Sequence, residues 1–137
     1  MATGSDEVVG TWSADRFVWL VAVGVGLGFV VAGVWAFVAP RSFFDNAATF
    51  EPDNTHFVRD LGAFQLGLGA VLLLATWVRD ALFAALAGVA VGAVTHVVAR
   101  AIDRHAGGQP VVDIPAFGLV AGLLVAAAIV RARLVRA

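Results

Sequence analysis

The sequence predicts an all-α membrane protein: a polytopic bundle of four transmembrane helices in a single domain, residues 1–137. Three observations predict this fold class. Apolar residues make up 61% of the chain, charged residues make up only 14%, and long apolar runs recur along it. A soluble domain has about 25% charged residues, and a water-soluble chain this short could not bury so much apolar surface in one core.

Four apolar segments are long enough to span a bilayer, since a helix needs about 20 mostly apolar residues for a core of about 30 Å. The predicted spans cover residues 17–39, 61–78, 81–102 and 115–130. Buried strands are excluded by the length of the runs and by the lack of a period of two. The tight turn at Arg79 and Asp80 predicts that the second and third helices pack as antiparallel neighbours. Pro115 is expected in the first turn of the last helix, where its missing N–H costs little.

The first segment is expected to be a retained span and not a cleaved signal peptide. Its apolar run is too long for a signal peptide, and acidic residues precede it. Four spans place both termini on one side of the membrane. The arginines on that side are Arg16, Arg79, Arg131, Arg133 and Arg136. The other side has Arg41, Arg59, Arg100 and Arg104. Because Arg59 and Arg100 fall partly within helices, the arginine bias predicts that both termini lie in the cytoplasm.

Composition also excludes several kinds of function. The net charge is −1, so no strong positive field favours nucleic acid. The chain has no cysteine, which excludes disulfides, thiolate metal sites and a cysteine nucleophile. No sequence pattern indicates a particular cofactor.

Lipid provides little hydrophobic drive for helix association, so association depends on close contact between helix backbones. Small residues at four-residue spacing are expected to allow this contact. One such pair falls in each span: Gly24 and Gly28, Ala63 and Gly67, Gly88 and Gly92, Gly118 and Gly122. The pattern predicts that these four faces point into the bundle.

A cluster of polar residues is expected where the second helix begins and the third ends. Its members are His56, Arg59, Asp60, His96, Arg100, Asp103 and Arg104. At ~1.5 Å per residue, Asp60, His96 and Arg100 lie ~22–28 Å above the Arg79–Asp80 turn. On each helix the polar residues share a face with the predicted small-residue pair. Ionisable groups at this depth should point inward and find partners.

Three interpretations of this cluster remain open. It could be a structural set of ion pairs, with Asp60 paired to Arg100, and Asp103 paired to Arg59 or Arg104. It could bind a lipid headgroup, a quinone or another ligand with a polar head. It could also be a catalytic or metal site built on His56, Asp60, His96 and Asp103. Because the neighbouring arginines would repel a cation, no metal is predicted.

The loop of residues 40–57 contains four phenylalanines interleaved with charged and turn residues: Phe43, Phe44, Phe50 and Phe57. Phe43 and Phe44 are expected to enter the membrane interface while Arg41 and Asp45 stay in water. This pattern predicts a short amphipathic helix. The helix would act either as a lid over the polar cluster or as an interfacial anchor. Asn54 or Thr55 is expected to cap the second helix.

The residues from Pro40 to Gly69 resemble a family of uncharacterised small bacterial, mainly actinobacterial, four-helix membrane proteins that are loosely DoxX-like. The similarity rests on Pro-Arg-Ser-Phe-Phe-Asp from Pro40 and on the stretch from Asn54 to Gly69. The resemblance implies the four-helix fold, highlights His56, Arg59 and Asp60, and implies a link to quinone redox complexes for part of the wider group. Phe44 stands where the family often has tyrosine, and the His-rich run that often ends the third helix is reduced to His96 and His105.

With this resemblance, the sequence predicts a small protein of a bacterial inner membrane that serves as an accessory subunit or binds a lipid or quinone-like ligand through the seven-residue cluster. The alternative is a small membrane enzyme that uses His56, Asp60 and His96 for proton transfer. Membrane lipids are expected partners, and a homo-oligomer or a larger membrane complex fits the short, apolar chain.

Overall fold

A computed structural model describes the backbone of residues 4–49, 54–106 and 108–136, and the side chains from Trp12 onward in those ranges, except that of Arg79. In these ranges the α-helices are α1 (Gly4–Val38), α2 (Pro40–Ala47), α3 (Thr55–Ala75), α4 (Leu82–Ile102) and α5 (Pro110–Arg136). α1, α3, α4 and α5 are each long and apolar enough to cross a membrane. The predicted all-α four-helix bundle is therefore confirmed.

Local sequence explains where α3 and α5 begin. The side chain of Asn54 accepts a hydrogen bond from the backbone N–H of Phe57 at 3.1 Å, so Asn54 caps α3 ahead of its apolar run. α5 begins at Pro110, so the expectation that Pro115 would occupy the first turn of this helix is wrong. Asp113 explains the earlier start, because its carboxylate accepts the backbone N–H of Gln109 at 3.0 Å and closes a turn ahead of Pro115.

The four long helices pack as two antiparallel hairpins. α1 packs along α3, α5 packs along α4, and the hairpins meet mainly where α1 contacts α5. α3 and α4 are joined by a tight turn that includes the 3₁₀ turn Arg79–Ala81, but they contact each other far less than either contacts its own hairpin partner. The prediction that these two helices pack along each other is therefore wrong.

Reciprocal glycine contacts set the close approach of α1 and α3. A Cβ built on Gly62 would lie 2.8 Å from the carbonyl oxygen of Gly33, and a Cβ on Gly33 would lie 2.8 Å from that of Gly62. A Cβ on Gly69 would lie 2.7 Å from the carbonyl oxygen of Gly26. The two glycines on each helix are seven residues apart, a spacing that keeps them on the same helix face.

The small-residue pairs predicted at four-residue spacing do not form these contacts. A Cβ added to any glycine of the predicted set would meet no atom within 4 Å: Gly24, Gly28, Gly67, Gly88, Gly92, Gly118 and Gly122. Ala63 is exposed as well. The prediction is therefore wrong. On α1 and α3 the close backbone approach is made instead by glycines at seven-residue spacing on a different face.

The shared core lies at one end of the bundle. We call this end the terminal side, since it contains the α3–α4 turn, the last turns of α5 and the part of α1 near Trp12; the opposite end is the loop side. The fully buried core residues contributed by all four helices include Val18, Leu72, Leu86 and Leu124. A second, smaller cluster of Ala36, Phe43, Phe44, Ala48 and Val58 lies on the loop side. Among the residues described, the fully buried ones of α4 end at Ala90.

Candidate functional site

A cavity of about 620 Å³ opens on the terminal side, beside the α3–α4 turn. The described residues that line it come from α1, the α3–α4 connection, and the ends of α4 and α5: Trp12, Asp15, Arg16, Trp19, Leu20, Thr76, Leu82 and Arg131. The lining combines two tryptophans and two leucines with three charged side chains. The sequence analysis did not predict a site here, because these charges were used only to assign membrane orientation.

Arg131 is the buried charge of this cavity. Its side chain is 9% exposed, and its Nη1 lies 3.5 Å from Oδ1 of Asp15, whose side chain is 43% exposed. The contact joins α5 to α1, and both residues make further interactions. An arginine so deeply buried is stabilised by such partners, because an unpaired buried charge costs several kcal/mol.

Helix periodicity brings the lining together. Trp12, Arg16 and Trp19 recur at spacings of four and three residues, so they follow one stripe of α1. On α5, Arg131 is seven residues beyond the buried Leu124 and points to the same interior. At the α3–α4 connection, the Thr76 hydroxyl donates to the carbonyl of Leu73 at 2.7 Å, which satisfies a polar group at the cavity wall.

On the loop side, Arg100 of the predicted cluster pairs with a residue that was not predicted. Its Nη1 lies 3.3 Å from Oδ2 of Asp113 on α5, and the two side chains are only 16% and 18% exposed. Phe117 covers this pair, with the guanidinium of Arg100 5.7 Å from its ring centroid. His96 packs edge-on against the same ring, with centroids 4.6 Å apart.

The predicted cluster residues of α3 lie apart from this group. His56 Nε2 and Asp60 Oδ2 are 3.5 Å apart, one helical turn from each other, and their side chains are 88% and 56% exposed. Arg59 is exposed too. This face of α3 points outward because Gly62 and Gly69, on the neighbouring face, pack against α1. Among the described residues, no ion pair joins Asp60 to Arg100.

The remaining predicted residues, Asp103 and Arg104, follow the end of α4 and are exposed. The Nε of Arg104 donates to His105 Nε2 at 3.0 Å. Within the described ranges, no three His, Asp or Glu side chains come together as a metal site would require. The structure thus brings His96 and Arg100 together at the Phe117 ring, and of the seven predicted residues only Arg100 is not exposed.

α2 is the short helix predicted in the Phe-rich loop, but its phenylalanine side chains point toward the protein and not toward the membrane interface. Phe43 and Phe44 are buried against Ala36 and Val58, so the expectation that they enter the membrane interface is wrong. The exposed face of α2 has the Arg41–Asp45 ion pair at 3.3 Å. α2 therefore covers the end of the α1–α3 hairpin, while Phe50 lies outside the described residues.

Comparison with known proteins gives no relative: no family model, curated protein or solved structure matches this chain. The resemblance to small DoxX-like membrane proteins therefore stays a prediction.

Proposed function

We propose that this protein is a non-enzymatic, multi-pass membrane protein that binds one amphiphilic molecule in the terminal-side cavity. The observation that carries the proposal is a 620 Å³ cavity with the buried guanidinium of Arg131 in its lining. Ligand pockets typically measure about 300–1,000 Å³ and combine apolar walls with a few placed polar groups. The cavity has both properties.

The chemistry of the lining fits a molecule with a polar head and an apolar body. Arg131 and Arg16 offer hydrogen-bond donors and the Thr76 hydroxyl oxygen offers an acceptor, whereas Trp19 and Leu20 offer exposed apolar surface on the outer face of α1. Since those apolar side chains face the surroundings of the bundle, the apolar part of a ligand can extend into the bilayer. Lipids and quinone-like molecules belong to this class.

We further propose that the protein lies in a bacterial inner membrane with its terminal side in the cytoplasm. That side has five arginines, at positions 16, 79, 131, 133 and 136, whereas the loop side has four, at positions 41, 59, 100 and 104. Arginines near the ends of the spans favour the cytoplasmic side of the membrane. The arginine distribution therefore supports this orientation.

Binding of a quinone-like ligand on the loop side is a second candidate, and one observation favours it. His96 and Arg100 both contact the ring of Phe117 at the loop-side end of the bundle. An aromatic ring beside two hydrogen-bond donors suits a flat ligand with carbonyl oxygens. The proton-transfer alternative has less support, because His96 shares no hydrogen bond or ion pair with His56 or Asp60 in the described part of the chain.

The test is native mass spectrometry of the detergent-extracted protein, with identification of any molecule released from it. We expect each wild-type chain to release one amphiphile. The Arg131→Gln variant should lose this molecule, and the Arg133→Gln variant should retain it. Arg133 is a matched control because it is an exposed arginine on the same helix. Loss in Arg100→Ala with retention in Arg131→Gln would instead move the site to the loop side. A wild-type protein that releases no amphiphile would refute ligand binding.

A further inference from the structure

Gln65 is the polar residue at the centre of α3. It is ten residues from each end of this helix, Thr55 and Ala75, which is ~15 Å at ~1.5 Å per residue. Since the hydrocarbon core of a bilayer is about 30 Å thick, Gln65 lies near its middle. Leu72, seven residues further along α3, is fully buried in the core of the bundle. The Gln65 side chain therefore points toward the same interior.

The amide oxygen of Gln65 is buried, and no donor in the described part of the chain forms a hydrogen bond with it. The central apolar runs of the four long helices, residues 20–34, 61–75, 82–94 and 116–130, contain no other polar side chain. The next polar side chains along α4, Thr95 and His96, are exposed. The Thr95 hydroxyl donates to the carbonyl of Val91 at 2.8 Å, and His96 packs against Phe117.

A buried amide oxygen without a donor is strongly unfavourable in a hydrocarbon environment. Replacing the amide by an apolar group of the same shape would remove this penalty at little cost. A donor that comes from outside the chain would remove it as well. Gln65 is thus a polar group for which the protein provides apolar surroundings and no partner among its described residues.

The interior beside Gln65 is packed less tightly on the loop side than on the terminal side. Among the described residues, the buried ones end at Ala90 on α4 and begin at Ala121 on α5. Gln65 is about two helical turns to the loop side of Leu72. It therefore lies where the tight contact between the two hairpins ends.

The surface of α3 next to Gln65 is apolar and open. Leu61 and Leu68 are neighbours of Gln65 at one-turn spacing; Leu61 is partly exposed and Leu68 is exposed. Each precedes a glycine that packs against α1, Gly62 or Gly69, so both leucines lie about 100° away from that contact. Because α3 contacts α4 far less than it contacts α1, a molecule in the bilayer can approach the partly exposed Gln65 side chain along these leucines.

We propose that Gln65 binds the hydroxyl group of a lipid-soluble alcohol or phenol that enters between α3 and α4 from the bilayer. A hydroxyl both donates and accepts, so it can bond to the oxygen of the amide and, when the amide rotates, to its nitrogen. The apolar body of the molecule lies against Leu61 and Leu68. This site is separate from the terminal-side cavity, so the inference goes beyond the proposed function and does not depend on it.

The surroundings of the amide favour such a molecule over water or a second copy of the chain. A buried water typically needs about two to four polar partners, whereas the central runs offer only the Gln65 side chain. An alcohol needs only this one partner, because its body is apolar. A second copy cannot reach the amide oxygen, since that atom is buried within its own chain.

The experiment offers the purified full-length protein equal amounts of 4-decylphenol and its methyl ether. The ether keeps the ring and the chain but has no hydrogen to donate. Native mass spectrometry then measures the ratio of the two compounds that stay bound. We expect wild type to retain the phenol roughly tenfold more than the ether. Gln65→Leu should lose this preference, because it replaces the amide by an apolar side chain of similar size.

Two control variants show whether the effect belongs to Gln65. Gln109→Leu removes the other glutamine of the chain, which is exposed, and should keep the preference for the phenol. Arg131→Gln changes the terminal-side cavity and should keep it too. Gln65→Met, with an unbranched apolar side chain, keeps the test usable if the branched leucine fits poorly.

Thermal unfolding without either compound gives an independent measurement. Gln65→Leu or Gln65→Met should be at least as stable as wild type, since each removes a buried amide oxygen that has no donor. A clear loss of stability in both variants would show that the amide has a partner within the protein, which would overturn the inference.

The remaining outcomes separate this inference from the proposed function. Equal retention of phenol and ether by wild type, or retention of neither, would overturn the inference and leave the terminal-side cavity as proposed. A preference for the phenol that persists in Gln65→Leu and disappears in Arg131→Gln would place the compound in the terminal-side cavity. That result would support the proposed function and overturn the site at Gln65.

Discussion

Asp113 and Arg131 lie on the same face of α5, and each pairs with a different helix. Asp113 pairs with Arg100 of α4, whereas Arg131 pairs with Asp15 of α1. The two residues are 18 positions apart, which is five helical turns and ~27 Å. This separation is close to the hydrocarbon thickness of about 30 Å. Among the described residues, α5 therefore has an interhelical ion pair at each end of a stretch long enough to cross the hydrocarbon core.

The loop-side pair should contribute to stability. We expect Asp113→Ala to lower the free energy of unfolding by about 3 kcal/mol, because it leaves the half-buried charge of Arg100 without this carboxylate. It also removes the acceptor for the N–H of Gln109 ahead of α5. Unfolding of the purified protein in mixed micelles with increasing detergent denaturant would measure the loss.

Asp60→Ala is the control for that substitution, since it removes a carboxylate whose partner, His56, is on the same helix and exposed. We expect its effect to stay below about 1 kcal/mol. Equal losses in the two variants would show that the Arg100–Asp113 pair has no special role in stability.

The glycine contacts between α1 and α3 should tolerate no side chain. We expect Gly62→Ala to destabilise the protein by about 1–3 kcal/mol, because its Cβ would lie 2.8 Å from backbone atoms of α1. Gly67→Ala, on the same helix with open space around it, should cause no loss. Thermal unfolding in one detergent compares the two variants. A similar melting temperature for both would contradict the close packing.

α2 should depend on its buried phenylalanines. We expect Phe43→Ala to cost about 3 kcal/mol, because it removes a buried ring from the loop-side cluster and from its edge-on contact with Trp35. The control Phe57→Ala removes a phenylalanine ring from an exposed position and should have little effect. Thermal unfolding in one detergent would measure both changes. A loss for Phe43→Ala no larger than that for Phe57→Ala would contradict the burial of Phe43 in the loop-side cluster.

The proposed orientation can be tested with single cysteines, because the chain has no cysteine of its own. We expect a membrane-impermeant maleimide to label Asp103→Cys in intact bacterial cells and to label Asp80→Cys only after permeabilisation. Both positions are exposed and lie at opposite ends of the bundle. The wild-type chain provides the unlabelled control. The reverse pattern would place the terminal side outside the cytoplasm.

The fold class could be predicted from the sequence. Four long apolar runs in a chain this short avoid water only as transmembrane helices, and such helices pack into a bundle. Which face of each helix points inward could not be predicted from small residues at four-residue spacing. Glycine also occurs on exposed helix surfaces, as Gly88 and Gly92 show. A usable signal was present: Gly26 and Gly33, like Gly62 and Gly69, repeat at seven residues.

The candidate sites were predictable only in part. The depth and inward direction expected for Arg100 agree with its half-buried position. Its partner Asp113 was missed because the last helix was predicted to begin at Pro115, which placed Asp113 in a loop. Arg131 was missed because a charge near the end of an apolar run is usually exposed. Arg131 is buried at the terminal side, where α5 packs against α1.

The hairpin arrangement also has a consequence for how the protein is made. Each helix finds its main partner in the adjacent span, so the first hairpin can form before the second leaves the ribosome. Association of preformed helices in the bilayer allows such stepwise assembly, and local pairing favours fast folding. A gene divided between Trp77 and Asp80 should therefore yield two fragments that reassemble when they are co-expressed.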